Sequence, residues 1–370
     1  MIRVTRLLEG VLSCCLACGS SPVAESDSGV TGSPRDGDSG FRGLMMDSGD
    51  GAQNSVDAGD NGVSATGTLT TLASGQNHPL YVAIDSATVY WTNTGSGSVA
   101  DGSVMKVPKD GGAVTMLAAG LLGPGHIVVD ETNAYWTSAT VRGGKAPGQN
   151  GTVAKVALQG GTAPVTLGTY GGYAPEGIAV DSANVYWANS SEGLPGALMK
   201  MPLDGGPASM LTSGQIGVFS IAIDATNIYW TNQNDGGAIM EMPLVGGTSL
   251  ALASGQTGNA IAVNATSAFW TNVAVVKVAL DGGPPLRLAA GTEMIGVALD
   301  DAYVYWTSYD GGTVTKVPLS GGAPITVATG QRAPVGIAVD ATSVYWANSG
   351  CPNSSSGPCV DGAIMKLTPK

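Results

Sequence analysis

A short passage recurs seven times in this chain, and any fold the chain adopts must give seven copies of it equivalent surroundings. The clearest copy is residues 174 to 190, Ala-Pro-Glu-Gly-Ile-Ala-Val-Asp-Ser-Ala-Asn-Val-Tyr-Trp-Ala-Asn-Ser. Near-copies run from Val82 to Asn93, Ile127 to Ser138, Ile221 to Asn232, Ile261 to Asn272, Val297 to Ser308 and Ile337 to Asn348. Every tryptophan lies in one of them: Trp91, Trp136, Trp187, Trp230, Trp270, Trp306 and Trp346.

Each copy reads as short strands. Gly177-Ile178-Ala179-Val180 is a continuous apolar run, which suits a strand buried on both faces. Asp181-Ser182-Ala183-Asn184 is a tight turn, because such side chains bond to nearby backbone. Val185 to Asn189 is rich in β-branched and aromatic residues, as strands are. Alternation resumes from Ala197 to Pro202, stops at Asp204-Gly205-Gly206, and a last strand, Ala208 to Leu211, ends before Gly214.

Four strands recurring about every 40 to 50 residues make the blade of a β-propeller, and successive tryptophans are spaced by 45, 51, 43, 40, 36 and 40 residues. A solenoid would need dissimilar caps at its ends. Here the ends are complementary. Thr68 to Gly75 matches a fourth strand, and the chain stops at Met365-Lys366-Leu367, a third strand. A ring in which the first strand completes the last blade leaves no open sheet edge. The expected fold is therefore an all-β, seven-bladed propeller closed by the N-terminal strand, over residues 67 to 370.

Pro175-Glu176-Gly177-Ile178-Ala179-Val180-Asp181, then Val185-Tyr186-Trp187, then a third strand with one cation and an Asp-Gly turn, resembles the YWTD repeat of the low-density-lipoprotein receptor class B propellers and their bacterial relatives. The resemblance covers residues 67 to 370. It implies a propeller but departs from the receptors in two ways. Those propellers are six-bladed, and their fourth motif residue is Asp, whereas here that place holds Asn93, Ser138, Asn189, Asn232, Asn272, Ser308 and Asn348. An amide or hydroxyl can still bridge blades by hydrogen bonds. Receptor function does not carry over.

Residues 1 to 18 read as an export signal. Arg3 and Arg6 precede an apolar stretch, Leu7 to Ala17, interrupted by Glu9, and then Cys18-Gly19-Ser20-Ser21. This resembles a bacterial lipoprotein leader with Cys18 lipidated; Cys14 offers a second position, and ordinary secretion is the alternative. The stretch is too short to span a bilayer as a helix. Residues 19 to 66 are Gly/Ser/Asp-rich, with eight acids against Arg35 and Arg42. Such a segment cannot bury enough surface to offset its ordering entropy, so it reads as a tether reaching about 35 to 40 Å. A tether behind a lipidated Cys would hold a folded head away from a membrane.

The net charge is −12, and Lys and Arg are not clustered as nucleic-acid binding requires. Apart from the leader, the cysteines are Cys351 and Cys359. In an oxidising compartment this pair is expected to form a disulfide, closing a nine-residue loop for about 2.6 kcal/mol on the chain-entropy model. A metal pair or redox couple is the alternative, although no further Cys or His lies nearby in sequence.

Catalytic signatures are sparse. There are two histidines, His78 and His126, and neither a His-Glu-x-x-His, a Gly-x-Ser-x-Gly nor a phosphate-cradling loop. No cofactor is expected. Lys106, Lys155, Lys200, Lys277, Lys316 and Lys366 share one place in the third strands, where the fourth blade has Glu241. They could form a cationic belt for an anion, or lay their stems over the sheet with the ammonium groups in water or paired across blades; the second reading is the stronger.

The turns between strands one and two and between three and four are short and uniform, so one face of the disc is monotonous. The other face varies, through residues 138–150, 189–196 and 349–362 and through the connections between blades. Those connections are expected to bring Tyr81, His126, Glu176, Phe219 and Asn259 to the central mouth, with His78 and Arg332 close behind. Mixed aromatic and polar groups converging on a concavity are the default ligand-binding hypothesis. The expected function is an extracytoplasmic, lipid-anchored, monomeric binding module for a protein or glycan. A propeller enzyme of lactonase or lyase type, using His78, His126 and Glu176, is the alternative.

Overall fold

The computed structural model describes residues 67–370, apart from residues 98, 139–149, 172–173, 191–194, 234–235 and 351–360. The described residues form seven four-stranded antiparallel sheets and no helix. Blade 3 shows the pattern: Ala174–Val180, Asn184–Ser190, Gly196–Pro202 and Ser209–Gln215, hydrogen-bonded in that order. Blades 1, 2, 4, 5 and 6 repeat it over residues 79–121, 124–171, 218–254, 260–290 and 294–328. Blade 7 takes three strands from the C-terminus (Pro334–Val339, Val344–Asn348 and Gly362–Thr368), and Thr68–Gln76 pairs beside the last as its fourth. The first strands of blades 1 and 7 are in contact, as are those of all consecutive blades. The ring is a closed seven-bladed propeller.

Observed first strands begin earlier than the apolar run. In blade 3 the strand starts at Ala174 rather than Gly177, with a bulge between Pro175 and Ile178. Blades 1, 2, 4, 6 and 7 carry a bulge at the same place. A bulge leaves residues unpaired and re-aims their side chains.

The Tyr-Trp dipeptide is the device that joins blades. Neighbours in a strand point to opposite faces, so the Tyr faces the following blade and the Trp the preceding one. Seven clusters of the core, one per blade interface, each join the aromatic of one blade to the Trp of the next: Tyr90 with Trp136, Tyr135 with Trp187, Tyr186 with Trp230, Tyr229 with Trp270, Phe269 with Trp306, Tyr305 with Trp346, and Tyr345 with Trp91. Trp187 is 0% exposed, as an inter-blade position requires.

The strand-one Asp serves its own turn. One oxygen of Asp181 accepts from the N–H groups of Ala183 and Asn184, and the other from the Tyr186 hydroxyl. Asp85, Asp130, Asp224, Asp300 and Asp340 do the same for Tyr90, Tyr135, Tyr229, Tyr305 and Tyr345. Blade 5 has Asn264 and Phe269 instead; carboxylate and phenol are replaced together, which identifies them as one unit. Burial opposes ionisation of Asp181, but the bonds from Ala183, Tyr186 and Asn184 outweigh it and hold the carboxyl below its ordinary value.

The uncharged fourth motif residue does bridge blades. Asn93 donates to Gln76 Oε1 of blade 7 at 3.0 Å, and Asn232 to Gln215 of blade 3 at 3.0 Å.

Candidate functional site

Tyr81 and His126 stand immediately before Val82 and Ile127, the first-strand residues paired with Trp91 and Trp136. Glu176 and Phe219 stand two residues before their counterparts Ile178 and Ile221. All four fall in the bulged segment, so the backbone irregularity of the first strands is what presents them together. The Tyr81 and His126 rings stack with centroids 3.7 Å apart at 24°. Phe219 meets His126 edge-on at 5.8 Å and 78°. Rings from blades 1, 2 and 4 therefore form a chain of contacts through His126 that passes over blade 3.

Blade 3 yields the room. Gly177 stands where blades 1 and 2 have Tyr81 and His126, and a Cβ there would meet the backbone of blade 4, 2.7 Å from Ile221 N and 2.8 Å from Phe219 O. Glu176, beside it, is buried, as is Phe219, while Tyr81 and His126 are half-buried. The result is an aromatic floor with one carboxylate set among the first strands.

The remaining expected residues, Asn259, His78 and Arg332, make no ring contact with Tyr81, His126 or Phe219 among the described residues. Asn259 is buried, with its amide donating to Met294 O at 2.9 Å, a bond between blades 5 and 6. His78 lies in the connection from blade 7 to blade 1, and Arg332 in that from blade 6 to blade 7. Arg332, largely exposed, pairs with Asp361 at 2.6 Å. His78 is 4% exposed with a φ of 54°, and neither ring nitrogen has a hydrogen-bond partner among the described residues. Burial lowers its pKa, with the Gly95 backbone, Asp101 and Asp361 pulling the other way. The Gly95 backbone stands near the imidazole but outside hydrogen-bond geometry. Cys18, Cys351 and Cys359 lie outside the described residues.

The lysine series forms inter-blade bonds rather than a belt. Lys106, Lys155, Lys200 and Lys277 donate to the carbonyls of Leu158, Leu203, Leu244 and Leu319 in the following blade, at 2.6, 3.0, 3.2 and 2.7 Å. Lys366 donates to Lys109 O at 2.9 Å. Lys316 instead stands over the Tyr303 ring, 4.4 Å from its centroid.

One feature of the variable face escaped sequence reasoning. Glu293, with φ 50°, has its pKa pushed up to about 7 by burial and by its hydrogen bond and charge interaction with Asp310. Two acids sharing a site cannot both ionise at ordinary cost. The available signal was positional: Glu293 stands four residues before Val297, as His78 stands four before Val82. Among the described residues, no group of three or more His, Cys, Asp or Glu is arranged to hold a metal ion.

No family model matches the chain, and no curated protein matches it in sequence. Solved structures do. A streptogramin B lyase is similar with a TM-score of 0.63 at 12% identity, over 82% of this chain and 98% of the other. The virginiamycin B lyase of Staphylococcus aureus gives 0.63 and 12%, over 82% and 99%, and the computationally designed Ika8 protein 0.54 and 13%, over 81% and 98%. At these identities the likeness concerns the β-propeller fold.

Proposed function

We propose that the chain is an extracytoplasmic propeller, lipid-anchored through Cys18, that binds a protein or glycan at its axial mouth as a monomer and without catalysis. The observation carrying this reading is the contact of His126 with Tyr81 and with Phe219, three rings from three different blades. The repeat does not need it: the corresponding places in blades 5, 6 and 7 hold Ala260, Gly296 and Gly336 beside Val263, Leu299 and Val339 strands of the same kind. Aromatic faces with a polar edge suit sugar rings and protein side chains alike, since they offer large contact area and a hydrogen-bonding rim. We further infer that the repeat is of YWTD type. That assignment is supported by the separate work of each motif position: Tyr to the strand-one Asp and the next blade, Trp to the preceding blade, Thr to the next first strand (Thr92 to Gly125 O, 2.7 Å), Asn to the preceding fourth strand.

The test is retention of envelope proteins and glycans by the full chain. Tyr81→Ala and His126→Ala should weaken binding of the retained ligand at least about tenfold, the loss expected when an aromatic anchor is truncated, with the melting point nearly unchanged. Asp204→Asn on the monotonous face should leave binding alone. Loss in Asp204→Asn with retention in the mouth variants would overturn the reading. The enzyme alternative rests on His126 and Glu176 standing on neighbouring first strands; conversion of the retained ligand, abolished in His126→Ala, would decide for it.

A further inference from the structure

Three blade interfaces share a small polar assembly. Gln76 at the end of the fourth strand of blade 7 accepts from Trp91 Nε1 at 3.1 Å and from Asn93 Nδ2 at 3.0 Å, and Asn93 also donates to Ser103 Oγ at 3.2 Å. Gln215 receives Trp230 and Asn232 in the same way, both at 3.0 Å. Gln331 receives Trp346 and Asn348, at 3.1 and 2.9 Å. Each Gln amide in turn donates to the carbonyl two residues earlier, of Ser74, Ser213 or Thr329. The glutamine side chain thus fills the groove between blades and satisfies the indole N–H.

In blade 2 the place of that glutamine is held by Leu121, an apolar side chain without its amide. The residue fifteen before Trp136 is Leu121, where the residues fifteen before Trp91, Trp230 and Trp346 are glutamines. Ser138 takes the Asn place and Thr152 the Ser103 place. A cleft of about 240 Å³ lies there, lined by Leu121, Trp136, Ser138, Thr152 and Thr166, with Pro164 toward the outer strand. Its walls combine an indole, three hydroxyls and apolar carbon, and the Ala119 carbonyl stands two residues before Leu121 as Ser74 does before Gln76.

We propose that this cleft is a binding site for a glutamine side chain presented by a partner protein. The partner supplies what the chain itself supplies in three other blades: a carboxamide oxygen to accept from Trp136 Nε1, an amide N–H to give to the Ala119 carbonyl or the hydroxyls, and a two-methylene stem against Leu121. The other interfaces define the chemistry of the occupant. The site is independent of the axial mouth.

The test uses the indole N–H signals of the full chain in a nitrogen-proton correlation spectrum, with the Trp136 signal assigned from Trp136→Phe. Acetyl-Gly-Gln-Gly-amide should shift the Trp136 signal, and acetyl-Gly-Met-Gly-amide, of similar length without the amide, should bind about tenfold more weakly, as loss of one hydrogen bond implies. Leu121→Gln should move the Trp136 signal toward those of Trp91, Trp230 and Trp346 in the absence of peptide, and weaken the glutamine peptide at least about tenfold. Three results would overturn the proposal: equal response to the two peptides, a Trp136 signal untouched by the glutamine peptide, or a shift of that signal in Gln149→Ala, which would make the chain's own loop the occupant.

Discussion

Blades 3 and 7 are written in the same repeat but are held in different ways. Around blade 3 the bonds are regular: Lys155 reaches Leu203 O, Lys200 reaches Leu244 O, and the residue after the third strand is a leucine. Around blade 7 lysines take that role on both sides: Lys109 directly follows the third strand of blade 1, and Lys370, two residues past the third strand of blade 7, bonds its N–H to a turn carbonyl as Leu203 and Lys109 do. Lys109 of blade 1 pairs with Asp340 of blade 7 at 2.8 Å, and Lys370 of blade 7 pairs with Asp300 of blade 6 at 2.5 Å, with side-chain exposures of 10% and 25% for the first pair and 11% and 18% for the second. The repeat's own Asp, elsewhere occupied by its turn and its Tyr, here takes a cation from the next blade as well. Blade 7 is the only one assembled from both ends of the described chain, so its ordering includes closure of a loop of nearly the whole domain, and loop-closure entropy grows with length. The extra ionic contacts flank the one blade whose own strands, Gly362–Thr368 and Thr68–Gln76, are not joined in sequence.

The largest expected effect tests closure itself. Removing residues 1 to 66 should leave the melting point nearly unchanged, whereas removing residues 1 to 76 exposes the edge of the Gly362–Thr368 strand and should unfold or aggregate the domain. Equal stability of the two truncations, measured by thermal melting, would break the comparison at its root. Next in size are Trp187→Ala and Trp346→Ala, one in each kind of blade and both 0% exposed. Each should cost about 3 to 5 kcal/mol in denaturant unfolding. A markedly cheaper Trp346→Ala would mean that the closing blade is loosely packed and that its ion pairs compensate for that.

A smaller effect is expected from Lys109→Leu, which converts blade 1 to the residue found in blades 2 to 6. It should cost about 1 to 2 kcal/mol at neutral pH, between the worth of exposed and buried pairs. Burial of Asp340 opposes its ionisation, but Lys109, the N–H groups of Thr342 and Ser343 and the Tyr345 hydroxyl hold its carboxyl well below the usual range. A carboxyl depressed in the folded state contributes stability above its unfolded pKa, about 4, and loses it as pH falls through the folded value. Stability curves of the parent and Lys109→Leu should therefore converge in acid; a gap independent of pH would mean that the lysine acts by packing. Smallest is Glu241→Lys. Glu241 stands in the lysine series, facing blade 5, with its pKa raised by burial and by Asp224. The substitution offers a donor to the Leu280 carbonyl and should stabilise by about 0.5 to 1 kcal/mol in the same unfolding measurement.

How far the sequence could be read depended on how local the interactions are. The turn Asp, the Tyr-Trp pair and the Gly-Gly hairpins act within one repeat, so their recurrence announced blades, boundaries and closure. The two histidines show the limit. His78 precedes the first strand of blade 1 and His126 lies in that of blade 2, yet His126 stacks on Tyr81 while His78 is buried with no ring hydrogen bond among the described residues. A difference of three places relative to the bulge separates them, and the bulge follows from how first strands crowd around the centre. The alignment of Asn259 gives no sign that its amide bonds Met294 O of the next blade. The Glu293 and Asp310 pair depends on a loop closing over a connection, which no repeat pattern encodes.

By itself, then, the sequence determined the number of blades, their order, and the strand that closes the ring, because period-2 alternation and turn chemistry are properties of neighbouring residues. Only the tertiary structure decided which side chains of different blades meet, which aspartates acquire a second cation, and which groove lacks its glutamine. Those outcomes depend on distances between residues in different blades, and such distances exist only once seven sheets have been packed around one centre.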